Sequence, residues 1–244
     1  VVRKIGRPGG RIAWDRLWTE VMKPALPFAL MNVFIIVYLR SGTLMLSALT
    51  HSDQAVGFYN AGYRLVEAFI VLPSMIIGPV YPVITRSLND PGRIRQLVTH
   101  SARAVLLVAG LVAVPISMFQ TEFTRLLYGD AYAGATVAIG SLSLAMIPVG
   151  LNWVFGTTVA ATGRQKRANV YIFIVAIGNI LLHALLIPRF GLAGATTTTL
   201  MTECAIVISN WWIVRDYMPW RQLARVAGRV LIPGCGSGYE IQAF

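Results

Sequence analysis

The stretch Gly57–Arg86, GFYNAGYRLVEAFIVLPSMIIGPVYPVITR, decides the interpretation of the whole chain. It is mostly apolar, and as one helix of about 29 residues at ~1.5 Å per residue it would reach roughly 43 Å. The hydrocarbon core of a bilayer is only ~30 Å thick. Pro73, Pro79 and Pro82 each remove a backbone donor, so they predict kinks. We therefore predict a transmembrane helix that is tilted, kinked or overhanging.

One face of this helix is polar. At spacings of three and four residues, one side carries Asn60, Arg64, Glu67, Val71, Ser74, Gly78 and Tyr81. The other side carries Leu65, Phe69, Leu72 and Ile76. A membrane helix with ionisable groups on one face needs something other than lipid beside that face. This requirement points to a transporter.

The composition is that of a membrane protein. Hydrophobic residues make up 56% of the 244, charged residues only 13%, and the mean hydropathy is +0.64; ordinary soluble domains have about 25% charged residues. The net charge of +11 comes from short basic clusters separated by apolar runs, which cannot form the continuous basic face that binds nucleic acid. The two cysteines, Cys204 and Cys235, show no disulfide or metal spacing. No metal or cofactor is predicted.

The pattern predicts an all-α fold, a polytopic membrane helix bundle. Six apolar spans cover residues 25–48, 57–85, 104–119, 134–160, 169–187 and 193–214, and a truncated seventh begins after Trp220. Residues 1–24 predict a basic amphipathic connector that lies on anionic membrane lipids. Residues 25–215 form the six-helix bundle, and residues 216–244 form a basic segment with a truncated or aberrant tail. Because the chain begins with Val1, we expect it to be a piece of a longer protein.

Loop charges predict the orientation. Basic residues are concentrated in the loops on one side of the predicted membrane: Arg86, Arg93, Arg95, Arg103, Arg164, Lys166, Arg167, Arg215, Arg221, Arg225 and Arg229. The opposite loops carry only Arg125 and Arg189. The positive-inside rule therefore places the N-terminus of the chain and the basic loops in the cytoplasm.

Four charged residues fall within the spans, namely Arg40, Arg64, Glu67 and Glu203. Each costs ~2.5–3.5 kcal/mol at the centre of a membrane helix, so each needs a polar partner or an aqueous cavity. Arg40 and Arg64 lie roughly 10–12 Å below the external surface, on consecutive helices. Two guanidinium groups in one cavity would bind an anion such as a phosphate group. We predict Arg40, Arg64, Asn32 and Asn60 as substrate-binding residues.

The two carboxylates allow two interpretations. Glu67 and Glu203 are candidates for coupling transport to protons or cations. Alternatively, Glu67 neutralises Arg64 three residues away and Glu203 neutralises Arg40, which would leave an inert network. His183 is interpreted as a packed histidine that is hydrogen-bonded to a neighbour.

Several blocks also resemble a known family. The block AVGFYNAGYRLVEAFIVLPSMIIGPVYPVITR, then LLYGDAYAGA, then ATGRQKRANVYIFIVAIGNILLHALLIPRFGLAGATTTTLMTE are similar to the C-terminal half of bacterial polysaccharide flippases. These belong to the multidrug/oligosaccharidyl-lipid/polysaccharide exporter superfamily. The resemblance covers about residues 20–215, and its specific parts are Gly57–Glu67 and Phe190–Glu203.

The resemblance implies two facing helical bundles around a cationic cavity. It implies flipping of undecaprenyl-diphosphate-linked oligosaccharide across the bacterial inner membrane for lipopolysaccharide, O-antigen or related polysaccharide biosynthesis. The chain would supply one bundle, with the missing N-terminal bundle as its partner and alternating access as its mechanism. In YLRSGTLML, which contains Arg40, many relatives carry an aspartate at the place of Gly42.

Other function classes make different predictions. A drug or lipid-II exporter of the same superfamily would not rescue a glycan-flippase deletion. A membrane-embedded enzyme of glycan biosynthesis needs an acid–base or metal-binding acidic cluster, and the acids in the loops are scattered. We therefore predict no catalytic residue and no enzyme activity. A scaffold subunit without transport activity would co-purify with a complementary bundle.

Overall fold

The computed structural model describes residues 38–219, together with Trp18 and Met22. Most of the first predicted span, Asn32 and the tail after Pro219 lie outside the described residues. The chain divides into two compact units, Val1–Arg40 and Ser41–Phe244. The description below concerns the second unit, and Arg40 is treated separately.

The described part of the chain is helical. Its elements are α1 (residues 38–50), α2 (Asp53–Phe69), α3 (Val71–Ile77), α4 (Val80–Arg86), α5 (Pro91–Met118), α6 (Gln120–Tyr128), a 3₁₀ turn (Asp130–Ala135), α7 (Thr136–Ala161) and α8 (Gln165–Val214). Within these residues there is no strand, so the all-α prediction is confirmed there.

Four helical stretches of the described residues are long and apolar enough to cross a membrane: Asp53–Ile77, Pro91–Met118, Asp130–Ala161 and Gln165–Val214. The protein is therefore a multi-pass membrane protein. The count of six spans plus a truncated seventh stays a prediction, since the first and last of these lie largely outside the described residues.

Helix α8 folds back on itself at a glycine. Its 50 residues would extend about 75 Å if straight, more than twice the hydrocarbon thickness. Gly191 has φ +52° and ψ −126°, a backbone conformation that glycine adopts readily. It separates an N-terminal arm (165–190) from a C-terminal arm (192–214). A Cβ on Gly194 would overlap the Leu186 carbonyl, so the two arms meet closely beside the break.

The second predicted span is broken into α2, α3 and α4, as its prolines predict. Pro73, Pro79 and Pro82 lack the N–H that would bond the carbonyl four residues earlier. Regular helical hydrogen bonding is interrupted at Ile70 and around Gly78, while the dihedral angles of Ile70, Gly78 and Pro79 stay α-helical. Carbonyls left without helical donors at membrane depth are tolerated where they are buried in protein or line a water-filled cavity.

Helix α7 lies at the centre of the unit and packs against α2, α5 and α8. Small residues allow these close approaches. A Cβ on Gly62 of α2 would come 2.9 Å from the Ala138 carbonyl oxygen, and one on Gly150 of α7 would come 2.8 Å from Val105 of α5. Close packing through small residues is how helices associate in lipid. The third predicted span buries one side, including Val105 and Ala109, and exposes Leu111.

Arg164 stabilises the end of the unit that carries the basic loops. Its Nη1 donates to the Ile213 carbonyl at 2.6 Å and to Asp216 Oδ2 at 3.0 Å, and its guanidinium lies 5.2 Å from the Tyr217 ring centroid. Arg95 of α5 donates to the Asp216 carbonyl at 3.3 Å. These bonds hold the residues after α8 against the loop that precedes it.

Candidate functional site

A buried hydrogen-bonded chain connects α1 with both arms of α8. Ser41 Oγ donates to Asn179 Oδ1 at 2.6 Å, and Asn179 Nδ2 donates to Thr202 Oγ1 at 2.9 Å. Thr202 in turn donates to the Thr198 carbonyl at 2.7 Å. Asn179 and Thr202 lie near the middle of their arms, so the chain crosses the unit where unpaired polar groups would be most expensive.

Tyr59 joins α2 to the same region. Its hydroxyl lies 2.9 Å from Thr199 Oγ1. Thr199 Oγ1 also lies 3.1 Å from the Ala195 carbonyl, to which it donates its single proton. The Tyr59 hydroxyl is therefore the donor to Thr199. A Cβ on Gly42 would overlap this hydroxyl, so the glycine makes room for Tyr59.

Besides Tyr59, the titratable side chains of Glu203 and His183 are buried. Glu203 is 8% exposed and His183 is 1% exposed. Glu203 has an interaction partner, whereas His183 Nδ1 has no hydrogen-bond partner among the described residues. We call Ser41, Tyr59, Asn179, Thr199, Thr202 and Glu203 the inner polar cluster.

Arg64 and Glu67 lie on a different face of the unit. Both side chains are exposed, and within the described residues neither forms an ion pair. The predicted alternative, a pair between these two residues, is therefore not formed here. Val71 and Met75, which follow on α3, are also exposed. We call Arg64, Glu67, Val71 and Met75 the charged strip.

Helix α2 begins four residues earlier than the span predicted from sequence. The Ser52 side chain caps it by accepting from Ala55 N at 3.2 Å. Arg64 is therefore eleven residues after Asp53, about 16 Å along the helix from its first residue. Its depth of roughly 10–12 Å below the external surface stays a prediction.

The remaining predicted site residues are dispersed. Asn60 Oδ1 accepts from Thr43 Oγ1 at 3.0 Å and so ties α2 to α1. Arg40 is exposed and belongs to the other compact unit, so its placement in one cavity with Arg64 stays a prediction. Asn32 lies outside the described residues. Among the described residues, no group of three or more His, Cys, Asp or Glu side chains is arranged to hold a metal ion.

Sequence reasoning missed Tyr59, Ser41 and Thr202 as members of the inner polar cluster. Tyr59 is adjacent to Asn60 on α2 but points about 100° away from it, toward α8. Only a signal that pairs positions far apart in the sequence would have found these contacts, because Ser41 and Asn179 are 138 residues apart.

Comparison with known proteins finds a family of polysaccharide biosynthesis proteins and several curated relatives. The family described as "Polysaccharide biosynthesis protein" matches residues 1–88, a range that includes the block around Arg64. The chain is 30% identical over 162 residues to the "Probable flippase AglR" of Haloferax volcanii. This match covers 62% of the chain and 33% of that relative.

Two further relatives are also named for glycan or polysaccharide biosynthesis. The "Probable low-salt glycan biosynthesis flippase Agl15" of Haloferax volcanii is 20% identical over 153 residues, covering 62% of the chain and 32% of that protein. The "Capsular polysaccharide biosynthesis protein CapF" of Staphylococcus aureus is 26% identical over 175 residues, covering 67% of the chain and 43% of that protein. The chain thus spans less than half the length of these curated relatives. No solved structure gives a significant match.

Proposed function

We propose that this chain is one helical bundle of a transporter that flips a lipid-diphosphate-linked oligosaccharide across the cytoplasmic membrane. The observation that carries the proposal is the charged strip. An arginine and a glutamate, unpaired within the described residues, lie deep along a membrane helix on an exposed face. Charged side chains are unfavourable in contact with lipid, so this face requires an aqueous lumen or another part of the protein beside it.

The broken span supports the same assignment. The carbonyls of Phe69, Met75 and Gly78 lose their helical donors to the three prolines, and Met75, Gly78 and Pro79 are exposed. Backbone of this kind belongs beside a cavity or a protein partner. The second bundle of the transporter would supply the opposite wall, and rocking of the two bundles would alternate access to the lumen.

The substrate class follows from the charge and from the relatives. Arg64 offers a planar fork of donors that matches phosphate oxygens, and we assign it to the diphosphate, with Arg40 as its predicted companion. The names of the relatives, two flippases and a capsular polysaccharide biosynthesis protein, support a glycan as the transported group. Asn32 and Asn60 are proposed to contact the substrate. Glu67 and Glu203 are proposed as coupling groups, with Glu203 held in the inner polar cluster and Glu67 facing the lumen.

The proposal includes a cell membrane location. The basic loops would face the cytoplasm, where the positive-inside rule places them. The transporter class is favoured over an enzyme because the relatives are named as flippases, and a bacterial host with an O-antigen or capsular glycan is the setting in which we propose to test it.

The test is complementation of a strain that lacks its own glycan flippase, using the complete gene that encodes this chain. We expect the wild-type gene to restore surface glycan. Arg64→Ala and Arg40→Ala should each reduce it at least tenfold, with unchanged protein in the membrane fraction. Arg125→Ala is the control, since Arg125 is an exposed arginine outside the charged strip and pairs with Asp130 at 3.2 Å. Wild-type glycan in both lumen variants would refute the charged-lumen assignment, and no rescue by the wild-type gene would favour a drug or lipid-II exporter.

A further inference from the structure

The two arms of α8 place aromatic and basic side chains together at the end of the unit that carries the basic loops. The Arg215 guanidinium lies over the Trp212 ring, 4.8 Å from its centroid. The Tyr171 ring meets Trp212 edge to face, with centroids 6.0 Å apart. Arg167 lies one helical turn before Tyr171 on the same arm, and its side chain therefore falls on the same face. Two cations thus flank an aromatic pair.

These cations are available to a ligand. Arg167, Trp212 and Arg215 are exposed, and within the described residues neither arginine forms an ion pair. The acid adjacent to Arg215 in the chain is Asp216, and its carboxylate is held by Arg164 at 3.0 Å. The surface is therefore cationic, with its nearby acid already neutralised.

The position of these residues along the helices indicates that they lie at the level of the lipid headgroups. Trp212 lies two residues before the end of the C-terminal arm, and Tyr171 lies six residues after the start of the N-terminal arm. Tryptophan and tyrosine at helix ends lie at the headgroup level of a bilayer, where basic side chains attract anionic lipid phosphates. Stacking on Trp212 also fixes the direction of the Arg215 guanidinium, since cation–π contact restrains it.

We propose that Arg167, Tyr171, Trp212 and Arg215 form a binding site for the headgroup of an anionic phospholipid in the leaflet at the basic end of the protein. The stacked Arg215 guanidinium binds the phosphate, Arg167 adds positive charge on the other side of the aromatic pair, and the aromatic rings lie against the glycerol region and the upper acyl chain. This site is separate from the charged strip and does not depend on the proposed transport function.

The experiment measures lipid binding by the purified full-length protein. Native mass spectrometry counts phosphatidylglycerol and phosphatidylcholine bound per protein during titration in detergent. We expect selective binding of phosphatidylglycerol that weakens about 30-fold in the double variant R167A/R215A, the equivalent of two lost basic contacts. The variant R86A/R93A removes the same charge from exposed arginines at the same end and should retain selective binding. R215K keeps the charge but loses the planar stack, and an intermediate affinity is expected.

Three results would overturn the proposal. Equal losses in R167A/R215A and R86A/R93A would show a diffuse surface potential instead of a site. Displacement of phosphatidylglycerol by millimolar inorganic phosphate would identify a free-phosphate site. Displacement by an equimolar polyprenyl diphosphate would assign the surface to the lipid-linked substrate instead. Circular dichroism of each variant verifies that the helices are intact.

Discussion

The two faces of α2 differ in whether their polar groups have partners within the protein. On the buried face, Tyr59 donates to Thr199 and Gly62 lies against the Ala138 carbonyl. On the exposed face, Arg64 and Glu67 have no ion-pair partner within the described residues. The polar groups that serve packing are satisfied within the unit, whereas those we propose to face the substrate are left accessible. The comparison predicts that substitutions on the buried face change stability, and that those on the exposed face change transport.

The largest effect is expected at Gly62. Gly62→Val would place side-chain atoms where even a Cβ comes within 3.0 Å of the Ala138 backbone, and the backbone of α7 cannot move aside like a flexible side chain. We expect a loss of about 3 kcal/mol in the free energy of unfolding. Unfolding in mixed SDS–detergent micelles, followed by circular dichroism, measures it.

Gly57 on the same helix is the matched control, because a Cβ there meets nothing within 4 Å. Gly57→Val should change stability only through helix propensity, by about 0.5 kcal/mol or less. If the two variants were equally stable, α2 would not pack on α7 through Gly62.

A smaller loss is expected on cutting the buried chain at Asn179. Asn179→Leu removes the acceptor for Ser41 and the donor to Thr202. Since hydrogen bonds between membrane helices average about 0.6 kcal/mol, the two bonds predict a loss of about 1–2 kcal/mol. Asn169→Leu is the control on the same arm, because the structure describes no side-chain hydrogen bond for Asn169. Equal stability of Asn179→Leu and wild type would show that the inner polar cluster does not hold the arms together.

Gly42 and Tyr59 should be coupled. Gly42→Ala alone introduces a Cβ into the space of the Tyr59 hydroxyl and should destabilise by about 1–2 kcal/mol. Tyr59→Phe alone loses one hydrogen bond, about 0.6 kcal/mol. The double variant removes the overlapping oxygen, so its loss should be smaller than the sum of the two single losses. Strict additivity of the three unfolding free energies would contradict the contact.

The sequence predicts the exposed face of α2 better than the buried one. Arg64 and Glu67 are identified by charge within an apolar run, and the breaks near Pro73 and Pro79 follow from proline chemistry. These are local properties of one helix. The inner polar cluster is different, because Asn179 meets Thr202 only when Gly191 reverses α8. Tyr59 reaches Thr199 only when α2 packs beside α8. Spacing within one helix contains no information on such contacts.

The smallest effect on stability is expected at Glu67, and it separates the two faces most sharply. Glu67 is exposed, so Glu67→Gln should change the free energy of unfolding by less than about 0.5 kcal/mol. If Glu67 couples transport to protons, the variant should nevertheless lose the pH dependence of glycan export seen with wild type in the complementation strain. Gln54→Glu, an exposed change on the first turn of the same helix, serves as the control for a change of one charge. A stability loss as large as that of Tyr59→Phe would mean that Glu67 is satisfied within the protein, and the charged strip would then have to be explained as packing instead of as a lumen.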